Sequence, residues 1–351
     1  MNLRQVTTDN FRNLASAEIA FHPTVNLVVG KNGQGKTNLL EAIYFLATTK
    51  SFRTARVASL FKHGQGNLFA GGVVRREVDK TLSVGLDEKK RVLLINGERV
   101  PLASYVSAMT VFAYSSARLE ILRGAPEERR RFLDRGVASI DPGYLDQVSR
   151  YARVLRQRNA LLQSGTTSGL DAWDSELVET AAALHCARAA YAESLAAAFD
   201  EIVAAHHYRV SNVRMEYRPS SVDNLKAMRK AELRARVSLA GPQRDLLDFT
   251  VDGRAAAEVL SGGEMKMIVM FLKFAKLELF RQRFEEPAIF LLDDVDAELD
   301  LEILENLLAK MPSETQVFAT SAKPRFLQVL EAAPHRRLTI ENGLVTSAED
   351  L

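Results

Sequence analysis

The chain has 351 residues, 47% hydrophobic and 26% charged, which is enough apolar material for two or three packed units and excludes a disordered or low-complexity chain. Forty-six Lys and Arg nearly balance forty-four Asp and Glu, so a net charge of +2 announces no nucleic-acid partner, and any basic surface must come from local clustering. Apolar runs such as Ala288–Leu292 fall far short of the ~20 residues of a membrane span; the N-terminus reads as free of a secretory signal, and the single cysteine, Cys186, fits a reducing cytosol.

In chain order, Val25–Val29 is a β-rich run that ends at Gly30, and Asn38–Ala47 has the length and residue types of a buried helix. Short alternating runs at Gly71–Arg75, Leu82–Leu86 and Val92–Ile95 follow, and Asn96-Gly97 is a strong hairpin signal. From about Glu127 the pattern turns helical. Leu145, Val148, Ala152, Leu155, Asn159 and Leu162 make a narrow seam, Gln163–Gly169 is a polar break, and a second stripe runs through Leu177, Ala181, Leu184, Arg188, Tyr191, Leu195, Ala198 and Ile202. These spacings predict an antiparallel helical pair inserted as an arm, with Cys186 in its seam. After Tyr208 the chain returns to mixed structure. The expected division is 1–122, a lobe with the glycine loop; 123–207, the arm; and 208–351, the continuation of the first body.

Three motifs carry chemistry. Gly30-Lys31-Asn32-Gly33-Gln34-Gly35-Lys36-Thr37 fits G-x-x-x-x-G-K-T between a strand and a helix. Its backbone N–H groups can cradle phosphate, Lys36 can reach the β and γ phosphates of a nucleotide, and the Thr37 hydroxyl can ligate Mg²⁺. Ala288–Leu292 delivers Asp293 and Asp294, the first a metal-holding carboxylate and the second a group to polarise the attacking water. Ser261-Gly262-Gly263 opens a further helix and makes a second anion-binding N-terminus. One nucleotide cannot easily use both cradles of one subunit, so the spacing points to a head-to-head dimer in which Ser261 reaches its partner's nucleotide.

The trio resembles the ABC-type ATPase head, with Walker A at 30–37, the signature loop at 260–264 and Walker B at 289–294; Ala297-Glu298-Leu299-Asp300 looks like the D-loop. Asn10-Phe11-Arg12-Asn13-Leu14, Lys50-Ser51-Phe52-Arg53, Arg129-Arg130-Arg131-Phe132-Leu133-Asp134, Arg153 to Asn159 and Gly241-Pro242-Gln243-Arg244-Asp245 narrow the resemblance, which spans nearly the whole chain, to the bacterial RecF family. The chain departs from that family's usual Ser-Gln-Gly-Gln in the signature loop, which here reads Ser261-Gly262-Gly263-Glu264, and from Phe-Ser-Pro-Glu-Asp-Leu, which here reads Tyr114-Ser115-Ser116-Ala117-Arg118-Leu119.

The resemblance implies an α/β fold, an ABC-type (SMC-like) P-loop ATPase head with an inserted antiparallel helical arm. It also implies a weak, DNA-stimulated ATPase that uses ATP and Mg²⁺, dimerises around ATP, and binds double-stranded and gapped DNA in recombinational repair and replication. The implied partners are RecR and RecO, and indirectly RecA; the implied location is the cytoplasm, at the nucleoid and not the membrane. Arg12 and Asn13 are carried over to the adenine or ribose side. Thr320, where ABC ATPases usually have a histidine, is a candidate γ-phosphate sensor. Two local concentrations of charge fit phosphate contacts: ten arginines against six acids over Arg118–Gln163, and six basic residues against one acid over Leu225–Arg244. Two alternatives stay open, a RecF-like paralogue acting as a nucleotide-gated switch in another complex and the ATPase subunit of a transporter. The helical arm and the arginine clusters speak against the second.

Overall fold

A computed structural model describes every residue except 55, 89, 116–118, 207, 211, 296–300, 322–329 and 332–333. The D-loop residues 297–300 and residues 116–118 therefore lie outside the described residues. The chain forms two compact units, one of residues 1–119 with 262–351, the other of residues 120–261.

The first unit holds two six-stranded sheets. In one, Val111–Ser115, Ile289–Asp293, Val317–Thr320, Val25–Val29 and His335–Glu341 lie side by side and parallel, and Leu344–Asp350 closes one edge antiparallel. The central strands are mostly apolar and buried along nearly their whole length, because both faces of a parallel sheet are covered. The other sheet is antiparallel, in the order Ala17–Ala20, Asn2–Asp9, Asn67–Arg75, Asp79–Asp87, Arg91–Ile95, Glu98–Arg99. Its last hairpin pairs Ile95 with Glu98 across Asn96-Gly97, both at positive φ (51° and 83°), the turn that two adjacent left-handed residues make.

The helix Lys36–Thr48 packs against strands of both sheets, so it is apolar on every side rather than along one stripe. Leu39, Leu40, Ile43 and Phe45 are fully buried in a core that also takes in Leu3, Val6, Leu82, Val84, Leu291 and Phe318. That burial fixes the start of the helix, and with it the glycine loop, at the carboxyl edge of the parallel sheet.

In the second unit, Tyr144–Ser164 and Leu170–Ala205 pair antiparallel; the longer helix has 36 residues and, at ~1.5 Å per residue, a length of about 54 Å. Gly165 caps the first helix at φ 74° and Gly169 precedes the second at φ 81°. The second stripe is buried from Leu177 to Ala198, then moves to Phe199 and Val203 instead of Ile202. In the first helix the inward residues are Tyr144, Tyr151, Val154, Arg158 and Leu162, so apart from Leu162 the expected seam is displaced. A buried arginine is the cause: apolar periodicity counts Arg158 as surface, while its partners lie elsewhere in the chain. Cys186 is exposed, in contrast to the expected place in the seam.

Residues 213–255 of this unit form a three-stranded antiparallel sheet, Val213–Arg218, Leu246–Val251 and Arg254–Ala255, with the helix Leu225–Ala235 between its first two strands in sequence. The packing boundaries thus differ from the division at 122 and 207, because residues 208–261 belong to the compact unit of the helical pair. Among the described residues no helix is long and apolar enough to cross a membrane.

Candidate nucleotide site

The glycine loop leaves the strand Val25–Val29 with Gly30 at φ 145°, where an added Cβ would lie 2.4 Å from the Ile340 carbonyl oxygen; only glycine lets the strands approach so closely. Gly35, at φ 117°, precedes the first helical residue. The loop is braced from outside. The backbone N–H of Asn342 donates to Gln34 Oε1 (2.6 Å), that of Gly343 to the Gln34 carbonyl (2.8 Å), and Asn38 Nδ2 donates to Asn13 Oδ1 (2.7 Å). Asn13 itself reaches the Gly33 carbonyl at 3.5 Å. Lys31, Asn32 and Gly33 are exposed at the tip.

Lys36 is buried and its ammonium donates to the carbonyl oxygens of Gly30 (2.7 Å) and Lys31 (3.2 Å). These neutral acceptors hold the cation inside the loop's own ring, the position from which it can turn to a phosphate oxygen. Thr37 Oγ1 donates to Asp293 Oδ1 at 2.8 Å, a link across 256 residues of sequence. Asp293 takes two more hydroxyls, from Thr320 (2.9 Å) and Ser115 (3.2 Å), and its neighbour Asp294, at φ 53°, donates its backbone N–H to the same Thr320 oxygen (2.9 Å). Burial raises the Asp293 carboxyl above the ordinary range, against the opposing hydrogen bonds of Thr37, Thr320 and Ser115 and the charge of Arg53.

A buried carboxylate kept from easy ionisation, in contact with a threonine hydroxyl, is an oxygen pair that suits a hard cation, whose charge would reverse the shift. Among the described residues no group of three or more His, Cys, Asp or Glu could hold a metal. Thr37 and Asp293 fit Mg²⁺ in the usual way, with few protein ligands and the remainder from phosphate and water.

Arg12, expected on the nucleoside side, forms a bidentate pair with Glu41 (2.8 and 2.9 Å), a carboxylate with no exposed surface that Ser51 and Arg53 also reach. Glu41 lies on the helix of the glycine loop, so Arg12 ties the first strand's exit to that helix. In the sequence Glu41, Ser51, Arg53 and Ser115 stand out only as parts of family blocks, and nothing there signals their hydrogen-bond partners or the acceptor role of Gln34. Their partners are tens to hundreds of residues away, and no spacing rule joins them.

The third motif opens the helix Gly262–Phe284. Ser261 is exposed just ahead of it, and a Cβ added to Gly262 would meet nothing within 4 Å. Gly262, Gly263 and Glu264 are half-buried. Leu260, just before Ser261, is buried.

Known proteins share the sequence family and the fold. Residues 2–343 match the RecF/RecN/SMC N-terminal domain. The chain is 33% identical to the DNA replication and repair protein RecF of Citrifermentans bemidjiense over 98% of its own length and 100% of that protein's, and 36% identical to that of Symbiobacterium thermophilum over 98% of each. Among solved structures, the recombination mediator RecF with ATP, in the RecFOR pathway, superposes with a TM-score of 0.88 at 25% identity, covering 100% of this chain and 97% of that one. An SMC head bound to the C-terminal winged-helix domain of ScpA shares the fold, with a TM-score of 0.58 at 14% identity over 100% and 98% of the two chains. The α/β ABC-type, SMC-like ATPase head expected from the three motifs is therefore the fold of this molecule, and the chain belongs to the RecF family.

Proposed function

We propose that this chain is an ATP-gated DNA-binding protein of recombinational repair and replication, a weak ATPase whose nucleotide-bound dimer holds DNA and whose hydrolysis releases it. The convergence of Thr37, Thr320 and Ser115 on the buried Asp293, beside the loop that encloses Lys36, carries the reading. Lys36 exchanges its carbonyl partners for the β and γ phosphates of ATP, and Gly30, Lys31, Asn32, Gly33, Gln34 and Gly35 supply the cradle. Thr37 and Asp293 hold Mg²⁺, which neutralises phosphate charge. Asn13 steadies the loop at Gly33, with Arg12 beside it on the nucleoside side of the site. Asp294 orients the water that attacks the γ phosphate. Ser261, with Gly262 and Gly263, closes over the nucleotide of a second copy.

The chain's place as a RecF-family protein supports action with RecO and RecR at gapped duplex DNA, helping RecA to load, in the cytoplasm at the nucleoid. DNA stimulates turnover in this reading because clamped heads align the water with Asp294. The test is sedimentation with ATP, ADP or no nucleotide, with and without gapped DNA. The wild type should dimerise with ATP alone, and Lys36→Ala should stay monomeric in every condition. Asp294→Asn should remain dimeric on DNA. A Lys36→Ala variant that dimerises with ATP, or an Asp294→Asn variant with normal turnover, would remove the mechanism.

A further inference from the structure

We propose that the helix Leu225–Ala235 is a docking surface for the phosphate backbone of duplex DNA, with Lys226, Lys230 and Arg234 as the residues that meet it. The assignment rests on the DNA-binding reading above and adds to it a place on the molecule.

By sequence the two basic segments are equivalent candidates; the structure separates them. Part of the first is already engaged in ion pairs, at the surface and in the interior, while Arg123, Arg135, Arg153 and Arg156 stay exposed among the acids of the same segment. Arg131 pairs with Glu127 and Glu128, Arg150 with Glu176 and Glu179, and Arg158 is fully buried. The helix of the second segment is arranged in the opposite way. Its one acid, Glu232, has no exposed surface and accepts from Arg158 Nη2 (2.6 Å) and the Leu239 backbone N–H (2.9 Å). Its inward cation, Arg229, is held by Asp171 and Asp174. Every charge that the helix shows to solvent is therefore positive.

Lys226, Lys230 and Arg234 are exposed at intervals of four residues, in one row along the helix. Asp171 lies within electrostatic reach of Lys226, though Arg229 is its main partner. Lys230 and Arg234 have no ion-pair partner among the described residues. Like charges at this spacing repel one another, a cost that nothing on the helix offsets and that a polyanion would remove. Four residues rise ~6 Å, so the row spans about 12 Å, roughly three to four phosphates of one strand along a duplex axis. Ala227, Ala231 and Ala235 are exposed beside the row, and their small side chains let a rod approach the ammonium and guanidinium groups closely. A membrane surface is the poorer partner, because an interfacial helix needs bulky apolar residues beside its cations, and here Leu225 is buried and the exposed neighbours are alanines.

The test is anisotropy of a labelled duplex titrated with full-length protein, ATP and Mg²⁺ over a series of salt concentrations. Alanine is the best helix former, so K226A/K230A/R234A should keep the fold; K226Q/K230Q/R234Q, with longer side chains, repeats the measurement. Both should bind at least tenfold more weakly at low salt, with a slope of log affinity against log salt shallower by about 2.7, about 0.9 for each phosphate that the variant no longer neutralises. R131A/R150A/R281A, which removes three charges from ion pairs, should keep the wild-type slope. Turnover without DNA should be unchanged throughout. An unchanged slope in the helix variants, an equal loss in the control, or retention of DNA binding with loss of binding to phosphatidylserine vesicles would overturn the assignment. A wild-type protein that ignores the duplex would instead sink the DNA-binding reading itself.

Discussion

Thr320 is the side chain through which the two acids of the site sense each other. Its hydroxyl donates to Asp293 and accepts from the backbone of Asp294, which sits at φ 53°, a left-handed conformation that aspartate adopts more readily than most non-glycine residues. Thr320→Val keeps the shape and removes both bonds. It should leave the ATP dissociation constant near the wild-type value and lower kcat by about tenfold, a fraction of what a positioned acid–base group usually contributes; Thr320→Ser should restore turnover. Equal losses in both variants would show that packing, not the hydroxyl, matters at this position. The glycine loop and Asp293 are legible in the sequence because phosphate and metal geometry fixes the residue types and their spacing. Ser115 is not legible as a partner of Asp293, since 178 residues separate the two and nothing about a serine at a strand end marks it.

Between elements, buried ion pairs fix the register of the helical pair, and here periodicity alone misleads. Arg158 carries no exposed side-chain surface; it bonds Asp174, Glu232 and Ser238, and so locks Tyr144–Ser164 to the start of Leu170–Ala205 and to the helix Leu225–Ala235. Arg158→Ala leaves the buried Glu232 without its cation and Asp174 with Arg229 alone, and should cost ~3–5 kcal/mol in urea unfolding. Arg150→Ala, in a pair whose partners are about half exposed, should cost ~1 kcal/mol or less. Asp245 is the second hub. Burial works against its charge, but hydrogen bonds from His185, the Ser220 N–H, Tyr217 and Arg188 prevail and hold its carboxyl below the ordinary range. A depressed native value means that its stabilisation is complete above the unfolded value of ~3.9 and is lost as pH falls through the lower native one. Stability measured from pH 6 downward should therefore fall in that acid window, and Asp245→Asn should be less stable at neutral pH and lose that part of the decline. Counting charges finds the arginine-rich stretches; only the partners show which charges are already used.

For the whole molecule, the chain passes from one compact unit to the other between Ser261 and Gly262, inside the signature loop. The return of mixed structure after Tyr208 is readable in the sequence, but which body that stretch joins is not, because membership is decided by packing that composition does not encode. A loop at that junction, with Ser261 exposed, matters for function only if it acts on a nucleotide, and whether that nucleotide is its own or a partner's can be decided with two inactive proteins. Lys36→Ala keeps Ser261 and cannot hold ATP. Ser261→Arg keeps the glycine loop and blocks closure. Each alone should show only residual turnover. If the loop acts on the partner's nucleotide, an equimolar mixture can form mixed dimers with one complete site, and ATP hydrolysis should rise well above that of either protein alone, to no more than about half of wild type, since each mixed dimer has one working site of two. If the loop acts within its own chain, neither protein can repair the other, and the mixture should remain as inactive as its components at every ratio.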